Sequence, residues 1–343
     1  MKKILIIGAG FSGAVIAREL AEKNYNVFII DQREHIGGNA YDYINEHGIR
    51  VHKYGPHLFH TSNSKVVDWL SKFTDWTPYK HKVKALLSNG RLVTLPVNNE
   101  TASIVGKDKI IDTFFRPYTQ KMWGVSVNEI DESVLARVAI RDDMNEDYFP
   151  NDSFQALPSS GYTELFNNIL SHPNIKVELS RPYIKGEDAN YFHTFNSMPI
   201  DSYFDFKYGY LPYRSIRFHT SSVMIPQLFP VATVNFTHNE PCTRVTEWKN
   251  LPNSDKPAAI TTITIEEPCD YIDNNFERYY PIKDKDGENL KLYKKYDSQS
   301  PVNMTFIGRC GLYAYIDMHQ AINSALSIAH NFVKNKLSIN NHL

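Results

Sequence analysis

A strand that runs straight into a glycine turn constrains this chain more than any other feature. Lys3-Ile4-Leu5-Ile6-Ile7 is apolar and β-branched, the pattern of a strand buried on both faces. Gly8-Ala9-Gly10-Phe11-Ser12-Gly13 follows at once, and Ala14–Leu20 then reads as a helix. A second apolar run, Asn26–Ile30, ends on Asp31. This is G-x-G-x-x-G in its required setting of strand, turn and helix, with an acid about 20 residues on. Such glycines let backbone N–H groups approach a pyrophosphate, and the helix N-terminus adds partial positive charge. Asp31 would accept from ribose hydroxyls. The bland alternative is a tight βα turn that binds nothing.

The next stretch narrows the cofactor. Gln32-Arg33-Glu34-His35-Ile36-Gly37-Gly38-Asn39-Ala40 carries a glycine pair that would bring a second backbone segment close to the dinucleotide. It resembles the second glycine signature of FAD proteins of the glutathione-reductase type, so FAD is expected rather than NAD. The alternative is a plain glycine turn.

Bulk properties exclude several classes. A chain of 343 residues exceeds one comfortable core, so two or three domains are expected. With 37 basic and 38 acidic side chains the net charge is −1, which argues against non-specific nucleic-acid binding. Cys242, Cys269 and Cys310 lack metal-ligand spacing; they read as reduced thiols, and no metal is expected. No stretch reaches membrane-spanning length, and the run after Lys2-Lys3 breaks too early for a signal peptide. The expected location is the cytoplasm. There are 21 tyrosines, each a donor without fixed charge.

Along the chain, Lys82–Leu87 and Arg91–Leu95 flank Ser88-Asn89-Gly90, a hairpin signal. From about 98 to 140 the pattern is helical, with Lys109–Phe115 stopping before Pro117 and a further helix over Glu132–Ile140. Tyr162–Leu170 is a helix; Lys176–Leu179 and Tyr191–Thr194 are short strands that rejoin the first sheet. Strands dominate from 205 to 300, and Thr261–Ile265 alternates as in a sheet with one face exposed. Val302–Phe306 then leads through Gly308-Arg309 to a long helix over Asp317–Lys336. The fold class is α/β: a discontinuous Rossmann-like FAD-binding domain (1–80, 145–204, 300–343), a helical insertion (98–144) and an antiparallel sheet domain (81–97, 205–299).

Outside the glycine turns, side chains that could do chemistry are dispersed. Tyr118 and Trp123 could form a stacking slot, although ordinary helix packing explains them as well. Arg137 and Arg141 are one helical turn apart. Tyr148, Arg214, Arg244, Tyr280, Arg309, Tyr315 and Asp317 follow. Singly, each arginine reads as a solvated surface residue; together beside a flavin they suit a diphosphate. His57 and His60 flank an aromatic segment. No Ser-His-Asp order, H-E-x-x-H, P-loop or C-x-x-C occurs, so the chemistry should belong to the cofactor.

At this point the chain resembles the bacterial UDP-galactopyranose mutase family over nearly all of its length. The matching stretches include Ile6–Gly13, Gly37–Tyr41, Tyr54–Thr61, Tyr118–Gly124, Arg137–Phe149, Tyr208–Arg214, Thr243–Lys249, Tyr279–Ile282 and Gly308–Met318. Met122 and Ala314 stand where the family commonly has a glutamine and a basic residue. The resemblance implies an isomerase that uses reduced FAD. It would interconvert pyranose and furanose forms of a nucleotide-activated hexose through an adduct at flavin N5. UDP-galactopyranose is the nominal substrate; dTDP-fucopyranose and UDP-N-acetylgalactopyranose are alternatives, and an amine-oxidase-like oxidoreductase is the alternative of another class. The implied catalytic residues are Arg137, Arg244 and His57. Tyr118, Trp123, Tyr148, Arg214, Asn235, Tyr280, Tyr315 and Asp317 would bind substrate. Gly8, Gly10, Phe11, Ser12, Gly13, Asp31, Gln32, Gly38, Asn39, His57, Gly308, Arg309, Asp317 and Met318 would bind the cofactor. A homodimer formed through the helical insertion is also expected, with no nucleic acid and no membrane insertion.

Overall fold

The structure, a computed structural model, describes residues 2–124, 140–252 and 257–340. The opening strand, Lys3–Ile7, lies in the middle of a five-stranded parallel sheet. The sheet order is Ile175–Glu178, Asn26–Ile30, Lys3–Ile7, His193–Asn196 and Met304–Phe306. Ile4, Leu5 and Ile6 are fully buried, as a two-sided strand requires. Ile4 and Ile6 join the core under the helices Phe11–Ala21 and Met318–Asn340, which pack on each other. Leu5 and Ile7 face the opposite side, against Tyr183, Tyr191 and Met198. The two short strands expected to rejoin this sheet do so, as does the strand before Gly308.

A second sheet has seven strands, in the order Tyr280–Pro281, Tyr213–Val223, Thr261–Asp270, Arg244–Glu247, Thr233–Phe236, Val83–Leu86 and Leu92–Leu95. It is antiparallel except where Thr233–Phe236 runs parallel to Val83–Leu86, the point at which the early hairpin joins the later strands. Along Thr261–Asp270 the alternation is inverted: Thr262, Thr264 and Glu266 are buried while Ile263 and Ile265 are half-buried. Hydrogen bonds offset the cost of burying these polar groups. Thr264 Oγ1 accepts from Trp248 Nε1 at 2.7 Å, and Thr262 Oγ1 accepts from Asn45 Nδ2 at 2.8 Å. The polar inner face ends at Glu266.

The helical segment holds Asn99–Val105 and Arg116–Trp123. Pro117 does not stop the chain as expected. It sits in the first turn of Arg116–Trp123, where its missing N–H costs little, and a wide turn over Ile111–Phe115 runs directly into that helix. The expected helix over Glu132–Ile140 falls, but for Ile140, outside the described residues. The three cysteines are free, and among the described residues no helix is long and apolar enough to cross a membrane.

Candidate active site

The two glycine turns meet. Gly38 has φ +55°, and a Cβ there would lie 3.0 Å from the Gly10 Cα. This contact forms one wall of a cleft of about 560 Å³ at the carboxyl ends of the parallel strands, where ligands of open α/β sheets bind. All fourteen residues expected to bind the cofactor line it, from Gly8 and Asp31 at one side to Gly308, Arg309, Asp317 and Met318 at the other.

The donor chemistry suits an anionic dinucleotide. The helix Phe11–Ala21 starts from Gly10 with no side-chain cap and no acid in its first turn, leaving its positive end uncompensated. Asp31 holds the turn in place: Oδ2 accepts from the Ala9 N–H at 2.8 Å and Oδ1 from the Arg33 N–H at 2.9 Å. Each oxygen keeps a further lone pair for a hydroxyl donor. Arg33 donates to Asn39 Oδ1 at 2.9 Å and to Glu277 Oε2 at 2.8 Å, so it joins two segments that both line the cleft.

Next to this cleft lies a packed aromatic cluster. Trp123 is 6.1 Å from the Tyr280 ring and 6.0 Å from the Tyr315 ring, with Met122, Ile216, Tyr118 and Phe218 packed around them. Tyr118, Tyr148, Tyr280, Tyr315 and Arg244 lie within electrostatic reach of one another. Burial raises the pKa of Tyr118 and Tyr148 and pushes Tyr280 up to about 12, so these phenols are donors at neutral pH. Arg244 Nε stands 2.7 Å from Glu266 Oε2, and Glu266 is 1% exposed. Burial alone would lower the Arg244 pKa, but the Glu266 carboxylate together with the Tyr118 and Tyr280 phenols outweighs it and holds the guanidinium charged.

Arg309 and His57 stand between the cleft and this aromatic cluster. Arg309 lines the cleft, donates to the carbonyls of Tyr279 (2.9 Å) and Ile316 (2.7 Å), and stacks over Tyr280 and Tyr315. His57 also lines the cleft and feels both Arg309 and Arg244. Its Nδ1 is 2.9 Å from the Gly55 carbonyl, which can only accept, so Nδ1 carries the proton and Nε2 is an acceptor. Burial first, then the neighbouring cations, lowers its pKa to about 3, so the ring is neutral. Gly55, at φ +82°, passes over Glu266; a Cβ there would sit 3.0 Å from Oε1. Glycine is therefore required between Tyr54 and Pro56.

Other expected residues are placed less directly. Asn235 is the cross-strand neighbour of Arg244, and its Oδ1 is buried without a hydrogen-bond partner. Arg214 is engaged elsewhere: Nε donates to the Met122 carbonyl at 2.8 Å and Nη2 to that of Lys121 at 3.1 Å. Two of its donors thus cap the Arg116–Trp123 helix instead of facing a ligand. Arg137 lies outside the described residues. Arg141 grips the carbonyls of Asp147 (2.6 Å) and Tyr148 (3.2 Å). Sequence reasoning missed Glu266, Lys121, His81 and the Arg33–Glu277 pair. His81 is buried edge-on to Tyr148 and near Arg244. A lone histidine and a Glu-Glu dipeptide carry no local signal of this.

The chain is similar to known proteins over nearly its whole length. A family model described as UDP-galactopyranose mutase matches residues 113–315, and one described as an NAD(P)-binding Rossmann-like domain matches residues 6–73. The chain is 35% identical to a probable UDP-galactopyranose mutase of Klebsiella pneumoniae, over 97% of this chain and 95% of that one. It is also 35% identical to a dTDP-fucopyranose mutase of Escherichia coli, over 98% and 99% of the two chains. A crystal structure of reduced UDP-galactopyranose mutase superposes with a TM-score of 0.75 at 19% identity, covering 97% of this chain and 96% of that one, and supports the fold.

Proposed function

This chain belongs to the UDP-galactopyranose mutase family, and on that premise we propose that it interconverts UDP-galactopyranose and UDP-galactofuranose with FAD in its reduced form. It is an isomerase that uses a flavin. When bound, the reduced flavin supplies the nucleophile that displaces the sugar's diphosphate, and no net redox change results.

The protein's own work is electrostatic. Negative charge grows on the diphosphate as it leaves. Arg244, fixed by Glu266, and the phenols of Tyr148, Tyr280 and Tyr315 supply preorganised cation and donors for it. Tyr118 and Trp123 hold the pyrimidine, and Arg137, assigned from the family motif alone, supplies a further cation for the diphosphate. Neutral His57 offers an acceptor at the reacting edge; Asn235 and Asp317 line the sugar. Glycine turns, Asp31 and Arg309 hold the dinucleotide. The observation that carries this reading is the position of His57 and Arg309 between a cleft suited to a dinucleotide and a packed cluster of phenols around Arg244.

A second reading, the same chemistry on dTDP-fucopyranose, is favoured by the equal 35% identity to the Escherichia coli enzyme. A cytoplasmic location and a homodimer enter the proposal on sequence grounds. The test is to reduce the protein once with dithionite and offer UDP-galactose, UDP-N-acetylgalactosamine, dTDP-fucose and a GDP-heptose. A furanose product peak on anion-exchange chromatography, without consumption of an electron acceptor, is expected with the first. Turnover that consumes oxygen stoichiometrically would instead identify an oxidoreductase.

A further inference from the structure

Lys121 lies between Tyr118 and Trp123 on the helix Arg116–Trp123, yet its side chain reaches across to the sheet. Its Nζ donates to the carbonyls of Phe236 (2.9 Å), His238 (2.9 Å) and Cys242 (3.0 Å). An ammonium has three donors, and all three go here to one turn. That turn joins Thr233–Phe236 to Arg244–Glu247, the strands that carry Asn235 and Arg244 as cross-strand neighbours. The same helix end is held from its other side, where Arg214, paired in register with Tyr280, caps the carbonyls of Lys121 and Met122.

We infer that Lys121 is a positioning residue that fixes the spacing between the aromatic slot of Tyr118 and Trp123 and the guanidinium of Arg244. A surface lysine would leave its ammonium in water; this one is half-buried and fully engaged. Converging carbonyls on one turn suit a compact ammonium better than a planar guanidinium fork. The base and the diphosphate of one nucleotide are a fixed distance apart, so a helix free to slide over the turn would satisfy one site at the expense of the other. The inference rests on the nucleotide-sugar reading.

The test compares the flavin-loaded wild type with Lys121→Met and Lys121→Arg. It uses flavin absorbance, UDP titration and amide hydrogen exchange over residues 237–243. Lys121→Met should keep its flavin and exchange faster in that turn, with UDP affinity down about tenfold. KM should rise more than kcat falls, and Lys121→Arg should recover part of the affinity. A lysine that merely braces the fold would lower thermal stability and speed exchange while leaving the UDP affinity of the folded protein within about twofold of wild type; that result overturns the inference. If Lys121→Met fails to fold, Lys121→Arg decides, because wild-type UDP affinity with a loosened turn would likewise overturn it. A wild type that binds neither UDP nor dTDP sinks the nucleotide-sugar reading itself, and the inference with it.

Discussion

Arg244 and Glu266 are cross-strand neighbours whose charged groups meet at 2.7 Å, with the carboxylate shut away from solvent and Gly55 lying across it. The pair fixes the guanidinium that the phenols of the cluster face. Removing the carboxylate would leave a largely buried cation unpaired, which costs about 3–5 kcal/mol in such settings. Glu266→Ala should therefore lower the melting temperature and abolish turnover together. Glu266→Gln, which keeps the shape, should fold but turn over slowly. A fully active Glu266→Gln in steady-state assay would remove the carboxylate from the account of Arg244.

Arg244→Ala should keep the yellow cofactor and lose turnover by about 10²–10³-fold, the usual effect of deleting one preorganised charge-stabilising group. Arg137→Ala is expected to behave likewise. Single-turnover kinetics on flavin-loaded protein checks both; near-normal rates in the two variants would refute the assignment.

Trp123→Ala should weaken UDP binding by about 10–100-fold, the loss of one base-stacking face, and leave flavin content alone. Equilibrium titration with UDP reads this directly. Unchanged affinity means the indole is a packing residue for Tyr280 and Tyr315 and nothing more.

Gly38→Ala places a methyl 3.0 Å from the Gly10 Cα at a left-handed backbone position. The two turns must part, and the variant should purify without flavin while keeping its secondary structure. Absorbance of the isolated protein and far-ultraviolet circular dichroism test this.

Acid should destabilise the fold through three imidazoles that the native state keeps neutral, His52, His57 and His81. Burial lowers His52 to about 4 and both His57 and His81 to about 3, all below the ordinary 6.5. Between those values the unfolded chain binds protons that the native chain refuses, so stability falls as pH drops below 6.5. Every tenfold weakening of proton affinity on folding corresponds to about 1.4 kcal/mol. Thermal melts from about pH 7 to 4 should show a shallower decline for His52→Gln and for His57→Gln than for wild type. Turnover between about pH 6 and 8 should show no ionisation from His57.

The cleft at the strand ends is legible in the sequence because its determinants are local. A strand, a glycine turn and a helix start must follow one another in the chain, so Gly8–Gly13 and Asp31 announce themselves. Glu266 does not. It sits beside Glu267 in a strand whose inward side chains are hydroxyls, and only register against Arg244 shows which acid points in. Lys121 reads as a solvated helix lysine until the turn at 236–242 is brought beside it. The parallel junction at Thr233–Phe236 depends on pairing with the distant segment Val83–Leu86, for which neither stretch carries a signal. Arg214 shows the opposite: the family motif marks the residue, while its tie to a helix end through Nε and Nη2 carries no signal in the sequence.

The cleft draws its walls from segments far apart in the polypeptide, the first glycine turn at Gly8–Gly13 and the stretch from Gly308 to Met318. During synthesis the first wall is made early, while the strand Met304–Phe306 and the wall behind it follow every strand of the seven-stranded sheet in the chain. If the cleft is where the flavin sits, as proposed, its capture is a late act, open to a chain that has already made Gly308. A polypeptide cut short before that glycine must stay colourless, however well its first half has formed.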